Sequence, residues 1–140
     1  MALTPLTEAR AQILAQTPAA PALECFTLQH CLGRILSEDV VAARDVPPFD
    51  NSAMDGYAIR YSDIPGPIPV TQRIPAGSAA DALEPGTAAR IFTGGVLPTG
   101  ADTVVIQENT REQAGLVTVV EQPAKGANIR RRGSDIGAGD

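Results

Sequence analysis

A chain of 140 residues suits one domain, or two small ones sharing an interface, and needs no disulfide or metal staple to bury a core. Its net charge of −5 argues against a general nucleic-acid surface, and no apolar run approaches the roughly 20 residues of a membrane span. Two cysteines, Cys25 and Cys31, and a single histidine, His30, argue equally against a disulfide framework and a His/Cys zinc site.

The opening "MALTPLTEAR" lacks the charged leader and apolar core of a signal peptide, so a soluble cytoplasmic protein is the expectation. Thr4 and Pro5 form a helix start, a capping hydroxyl followed by proline at the first helical position. Leu6, Ala9, Ile13 and Leu14 then share a face at helical spacing, and Thr17-Pro18 with the run "PAAPA" (18–22) ends the helix. "LECFTL" (23–28) has the composition of a short strand, and "QHCLGRIL" (29–36) that of a short helix weakened by Gly33. The two cysteines sit in apolar surroundings and are expected to fill a core; His30 is expected at the surface.

From about residue 45 the texture changes. "GYAIRY", "IPVTQRI", "TAARIFT", "DTVVIQE" and "LVTVVEQ" are short, rich in β-branched or aromatic residues, and separated by Gly, Pro and Asp. Gly and Pro number 13 and 12, well above their usual combined share of about 12%. The fold class expected is α+β, mostly β: a small helix-containing domain over 1–44, then a β-barrel-like domain of short strands over 45–140. The final "NIRRRGSDIGAGD" stops inside a polar, Gly-rich run, as a chain cut from something longer would.

Three stretches carry candidate chemistry. In "PPFDNSAMDGYA" (47–58) the prolines hold the backbone extended, Phe49 and Met54 are expected to anchor the loop in a core, and "DNS" (50–52) resembles a helix cap. Asp55-Gly56 then makes a tight turn into a strand. Asp55 is either a structural turn residue or a carboxylate that handles phosphate or a metal, of the kind that suits Mg²⁺. In "RIFTGGVLPTGADTVVIQE" (90–108) a strand delivers Thr93, Gly94 and Gly95 at its end, where backbone N–H groups can cradle an anion or simply form a hairpin turn. In "GANIRRRGSDIGAGD" (126–140) three consecutive arginines on a strand point to alternating faces, so they cannot all grip one phosphate. That stretch is either a charged edge strand or a place where one or two arginines bind an anion. No GxSxG elbow occurs and no Cys–His nucleophile pair is evident.

Together these stretches resemble one family, the molybdopterin molybdenumtransferases of molybdenum cofactor biosynthesis, which include the C-terminal part of gephyrin. "DVPPFDNSAMDGYAIR" (45–60) is close to the family signature, "RIFTGGVLPTGADTVVIQE" and "GANIRRRGSDI" match its next two blocks in order, and "CLGRILSEDVVA" (31–42) fits before them. The resemblance implies an enzyme that inserts molybdenum from molybdate into adenylylated molybdopterin and releases AMP in a Mg²⁺-dependent reaction. It further implies an elongated homodimer of four-domain chains, with a molybdopterin adenylyltransferase as a possible partner. Residues 1–44 would then belong to the linking domain, joined by the last ten or so residues, and 45–140 to the second, β domain. The family's active site lies between the third domain of one subunit and the second of its partner. Carried over by position, Asp55 and Thr93 are the catalytic pair, Asp55 also the metal ligand, and Gly94, Arg130 and Asp135 the substrate-binding residues. Many members have Glu where this chain has Ser134, which leaves an acidic pair there without its first member. The competing readings are a non-catalytic scaffold and a regulatory anion-binding module; Asp55 and Thr93 favour the enzyme, since a scaffold needs no polar pair there.

Overall fold

The computed structural model describes residues 4–19 and 21–140; the leader reading at residues 1–3 and the middle of the "PAAPA" run lie outside them. The chain divides into two compact units, Met1–Val40 and Val41–Asp140. Among the described residues no helix is long and apolar enough to cross a membrane.

The first unit contains one α-helix, α1 (Leu6–Ala15). Pro5 itself occupies the N-cap, and no side chain caps the helix, so the Thr4 hydroxyl does not play the part expected of it. The N–H of Gln16 bonds back to Ile13 and the chain leaves the helix before Thr17-Pro18. Beyond it the expected strand over 23–28 does not form: among the described residues of the unit no second strand runs beside it. The expected helix over 29–36 shrinks to one 3-10 turn, Leu28–His30, and Gly33 follows at φ +81°, a conformation that ends helical progress. Arg34 stacks on the Phe26 ring at 3.5 Å and pairs with Glu24 at 3.9 Å. Cys25 is exposed and Cys31 half-buried, so neither fills a core here; His30 is exposed, as expected.

The second unit is the β domain. Its strands are β1 (Asn51–Ser52), β2 (Gly56–Ile59), β3 (Ile68–Ile74), β4 (Ala88–Ile91), β5 (Thr103–Ile106), β6 (Thr110–Gln113), β7 (Leu116–Val119) and β8 (Ile129–Arg130). Six of them form a curled half-barrel sheet in the order β5-β2-β4-β3-β7-β6, in which only β3 and β4 run parallel. β1 and β8 form a separate antiparallel pair. The five apolar segments marked out in the sequence supply β2, β3, β4, β5 and β7. β6, "TREQ", escapes a search for apolar runs because it is a polar edge strand. It is held by a two-residue hairpin, Ala114-Gly115, with φ of 53° and 76°, the left-handed pair that a tight β-hairpin needs.

Alternation along the strands divides the core between the two faces of the sheet. Tyr57, Ile59, Ile68, Ala88, Val105, Val117 and Val119 pack on one side. Ala58, Ile74, Leu83, Ala89, Ile91 and Val104 pack on the other. All four residues of β2 are therefore buried. At its first residue the approach of β5 is so close that a Cβ on Gly56 would lie 2.0 Å from the Val105 carbonyl oxygen. Only glycine fits at that position. We expect Gly56→Ala to lower unfolding stability by roughly 3 kcal/mol, read from the urea midpoint. A loss of under about 0.5 kcal/mol, the range of ordinary surface changes, would show that β5 moves aside freely.

Candidate active site

The loop that precedes β2 is held mainly by its own backbone. Ser52 N–H donates to the Gly95 carbonyl (2.9 Å), Gly94 N–H to the Ser52 carbonyl (2.8 Å), and Leu97 N–H to the Asp50 carbonyl (2.8 Å). From the other side Ala53 N–H reaches the Asn128 carbonyl (2.9 Å), and Asn51 and Ser52 pair in register with Arg130 and Ile129. The stretch expected to cap a helix is thus β1, stitched between the 94–97 loop and β8. Phe49 and Met54 do not anchor it in a core: they are 57% and 44% exposed. Ser52 Oγ accepts the Met54 N–H (3.3 Å) and donates to the Met54 carbonyl (2.5 Å), which tightens the turn just before Asp55.

Asp55 leaves this turn facing the end of β4. Its Oδ1 accepts two hydrogen bonds from Thr93, one from the backbone N–H and one from the hydroxyl, each 2.8 Å. The Thr93 N–H is the main reason that the Asp55 carboxyl is held below the ordinary carboxylate range; the Thr93 hydroxyl and the Arg90 charge add to it. Asp55 is therefore a carboxylate at neutral pH. Among the described residues no hydrogen bond reaches its second oxygen, Oδ2, which leaves that atom free for a cation or a substrate group.

The two glycines after Thr93 do not form an anion nest, because both N–H groups are spent inside the protein. Gly94 donates to Ser52 and Gly95 to the Phe92 carbonyl at 2.7 Å. Gly95 has a packing reason instead: a Cβ there would stand 2.7 Å from the Ile74 carbonyl oxygen. Gly94, at φ +81°, meets nothing closer than the Ala76 methyl at 3.5 Å, so its Cα face is open beside Thr93.

Each of the three arginines finds a carboxylate, but the expected alternation along a strand does not arise: β8 ends at Arg130, and Arg131 and Arg132 lie beyond it. Arg130 pairs with Asp135, Arg131 with Asp50 (2.6 Å) and Arg132 with Asp45. Arg132 also gives its N–H to Asp50 at 2.8 Å, and Ala138 N–H donates to Asp45 at 2.9 Å. These bonds lower both carboxyls, Asp45 chiefly through the Ala138 N–H and Asp50 chiefly through the Arg132 N–H. The structure thus brings Asp55, Thr93 and Gly94 together and joins Arg130 to Asp135, with no hydrogen bond linking the two groups. Two residues at the site went unnoticed in the sequence. Arg90 donates to the Gly56 carbonyl (2.8 Å) and to Gln107 Oε1 (2.6 Å), and Gln107 N–H donates to the Asp55 carbonyl (3.0 Å). Each lies in a strand or at a strand end as an ordinary polar residue, with no local pattern to single it out.

As for a metal, the described residues hold no group of three His, Cys, Asp or Glu side chains placed to bind one. What they offer is the single free oxygen of Asp55, which fits Mg²⁺ only in its usual manner, with one or two carboxylates and the rest of its shell from water and substrate phosphate.

The site is an Asp–Thr pair at a strand end of the curled β half-barrel, beside a loop stitched to the arginine run. The family model described as "MoeA N-terminal region (domain I and II)" matches residues 4–140. The chain belongs to the molybdopterin molybdenumtransferase family. It is 40% identical over 139 residues to the molybdopterin molybdenumtransferase of Haemophilus influenzae, covering 96% of this chain and 34% of that one. It is 45% identical over 124 residues to that of Nostoc, covering 83% and 28%. The chain therefore spans about a third of the length of the curated relatives it matches. A crystal structure of the molybdopterin biosynthesis MoeA protein of Pyrococcus horikoshii superposes with a TM-score of 0.80 at 31% identity, over 99% of this chain and 37% of that one.

The lowered carboxyls have a consequence for acid stability. A carboxyl whose folded pKa is depressed contributes stability at pH above its unfolded value, and the contribution is lost as pH falls through the folded one. We expect the thermal midpoint to be level from pH 7 to about 5 and to drop below about pH 4, where carboxylates begin to protonate. Asp50→Asn should flatten part of that acid limb. A midpoint independent of pH down to about 3 would show that these carboxylates contribute nothing.

Proposed function

We propose that this chain supplies the aspartate-bearing part of a site that inserts molybdenum from molybdate into adenylylated molybdopterin, releasing AMP. The observation that carries the reading is the state of Asp55: ionised, fixed through Oδ1 by both Thr93 donors, and open at Oδ2. A carboxylate held in this way has no rotation left to lose when substrate arrives, so its charge acts on the reacting group without reorganisation. Thr93 is the orienting residue, and the open Cα face of Gly94 gives a substrate room to approach. Asp55 would be the residue that holds Mg²⁺ when the ion is bound, and the ion would supply charge neutralisation for the departing adenylate. Arg130 and Asp135, paired with each other, would meet the substrate as a neutral couple rather than as free charges. In this reading the remaining pterin contacts come from the third domain of a partner subunit, in a homodimer of full-length proteins.

The test follows from the two oxygens of Asp55. Asp55→Asn keeps an oxygen to accept both Thr93 donors and removes the charge from the other position. Made in the full-length protein of which this chain supplies one part, the variant should fold with a thermal midpoint close to that of the wild type and bind adenylylated molybdopterin nearly as well; the chain alone should do neither the binding nor the chemistry. Its molybdate-dependent AMP release should fall by roughly 100-fold, the order expected for one electrostatic group in a transition state. Release at close to the wild-type rate from a folded variant would reduce Asp55 to a turn residue.

A further inference from the structure

Arg90 is anomalous for an arginine in an acidic protein. Among the described residues no carboxylate lies within ion-pair distance of it, although Glu112 lines the same open cavity of about 380 Å³ and Asp55 is near enough for its pKa to feel the charge. Glu112 is occupied by the Tyr57 hydroxyl at 2.5 Å. Burial, with that bond, pushes Tyr57 up to about 12, so its proton stays in place across the physiological range. Arg73, the in-register neighbour of Arg90 on β3, brings a second positive charge and stacks on the Phe92 ring at 4.4 Å.

All of Arg90's bonds go to neutral oxygens instead. Nη1 donates to the Gly56 carbonyl at 2.8 Å and to the Ile91 carbonyl at 3.1 Å, and Nη2 donates to Gln107 Oε1 at 2.6 Å. Its guanidinium lies over the faces of Phe92 (4.5 Å) and Tyr57 (5.2 Å). The three acceptors belong to the start of β2, the end of β4 and the residue after β5. Those are the segments that carry Asp55, Thr93 and the N–H bonded to the Asp55 carbonyl. A closed circuit results: Arg90 to Gln107, Gln107 to Asp55, Asp55 to Thr93, and back along β4 to Arg90.

We propose that Arg90 is the positioning residue of this site: its fork fixes three strand ends so that the Asp55 carboxylate meets both Thr93 donors. The proposal rests on the transferase reading only for its effect on turnover. Lysine cannot take the place of Arg90, because a single ammonium does not span three oxygens in a plane between two rings.

The experiment reads the Asp55–Thr93 contact directly, without substrate. The Thr93 amide proton shift and its solvent exchange are compared by NMR at pH 7 in the wild-type protein, Arg90→Gln, Arg90→Lys and Gln107→Met. Arg90→Gln should shift the Thr93 amide out of its bonded position and speed its exchange. Arg90→Lys, which keeps the charge and loses the fork, should displace the Thr93 amide as well. In the transferase assay of the full-length protein it should lower kcat about tenfold with KM unchanged. Gln107→Met leaves Arg90's two main-chain bonds and both ring contacts in place, so it carries the decision if Arg90→Gln does not fold; it should still displace the Thr93 amide. A Thr93 amide unmoved in the folded variants would make Arg90 a sheet residue only and overturn the proposal. Loss of the amide effect and loss of the transferase reading are thus separable, since Asp55→Asn decides the latter alone.

Discussion

The contact between β2 and β5 is the constraint on which the site depends. β2 is buried along its whole length, and at Gly56 its backbone lies directly against a β5 carbonyl. A strand packed in this way has one register and no lateral freedom. Asp55 is the residue immediately before it, and Thr93 follows β4, the strand paired to β2 on its other side. The two bonds between them therefore join the ends of elements whose positions the core has already set. A carboxylate on a free loop would need substrate to order it; this one is ordered by the packing of Ala58, Ile59 and Val105.

Much of this was legible in the sequence, and what was not has physical reasons. β2, β3, β4, β5 and β7 are apolar because they border the core, and that leaves a mark in composition. β1, β6 and β8 exist through pairing alone: "NS", "TREQ" and "IR" become strands because a partner backbone lies alongside. Such strands carry no periodic signal. In the first unit the reverse error occurs, since "LECFTL" has strand composition and no partner. Local chemistry marked Asp55 and Thr93 as candidates beside equally good turn readings; the resemblance of whole blocks is what joined them as a pair. Arg90 and Gln107 matter through bonds to residues 34 and 17 positions away in the case of Arg90, a relation that no local periodicity marks.

The aromatic and apolar residues of the signature turn out differently from their usual reading. Phe49 and Met54, expected to be buried, are exposed, while hydrogen bonds to 94–97 and 128–130 do the anchoring. The loop can thus leave its large apolar side chains on the surface without losing its shape, because backbone groups satisfied on both sides are costly to pull away from their partners.

The ion pairs of the arginine run also set an order of events. Asp50 waits for Arg131 and Arg132, which lie 81 and 82 residues later, and Asp45 waits for Arg132, 87 residues later. Closures of this length are entropically demanding and come after the local hairpins have formed. As the chain is synthesised, the strands around Tyr57 can already have found one another while the signature loop still lacks half of its ties. A segment that leaves the ribosome 81 residues later is therefore what fixes one of the first parts of the β domain to have left it.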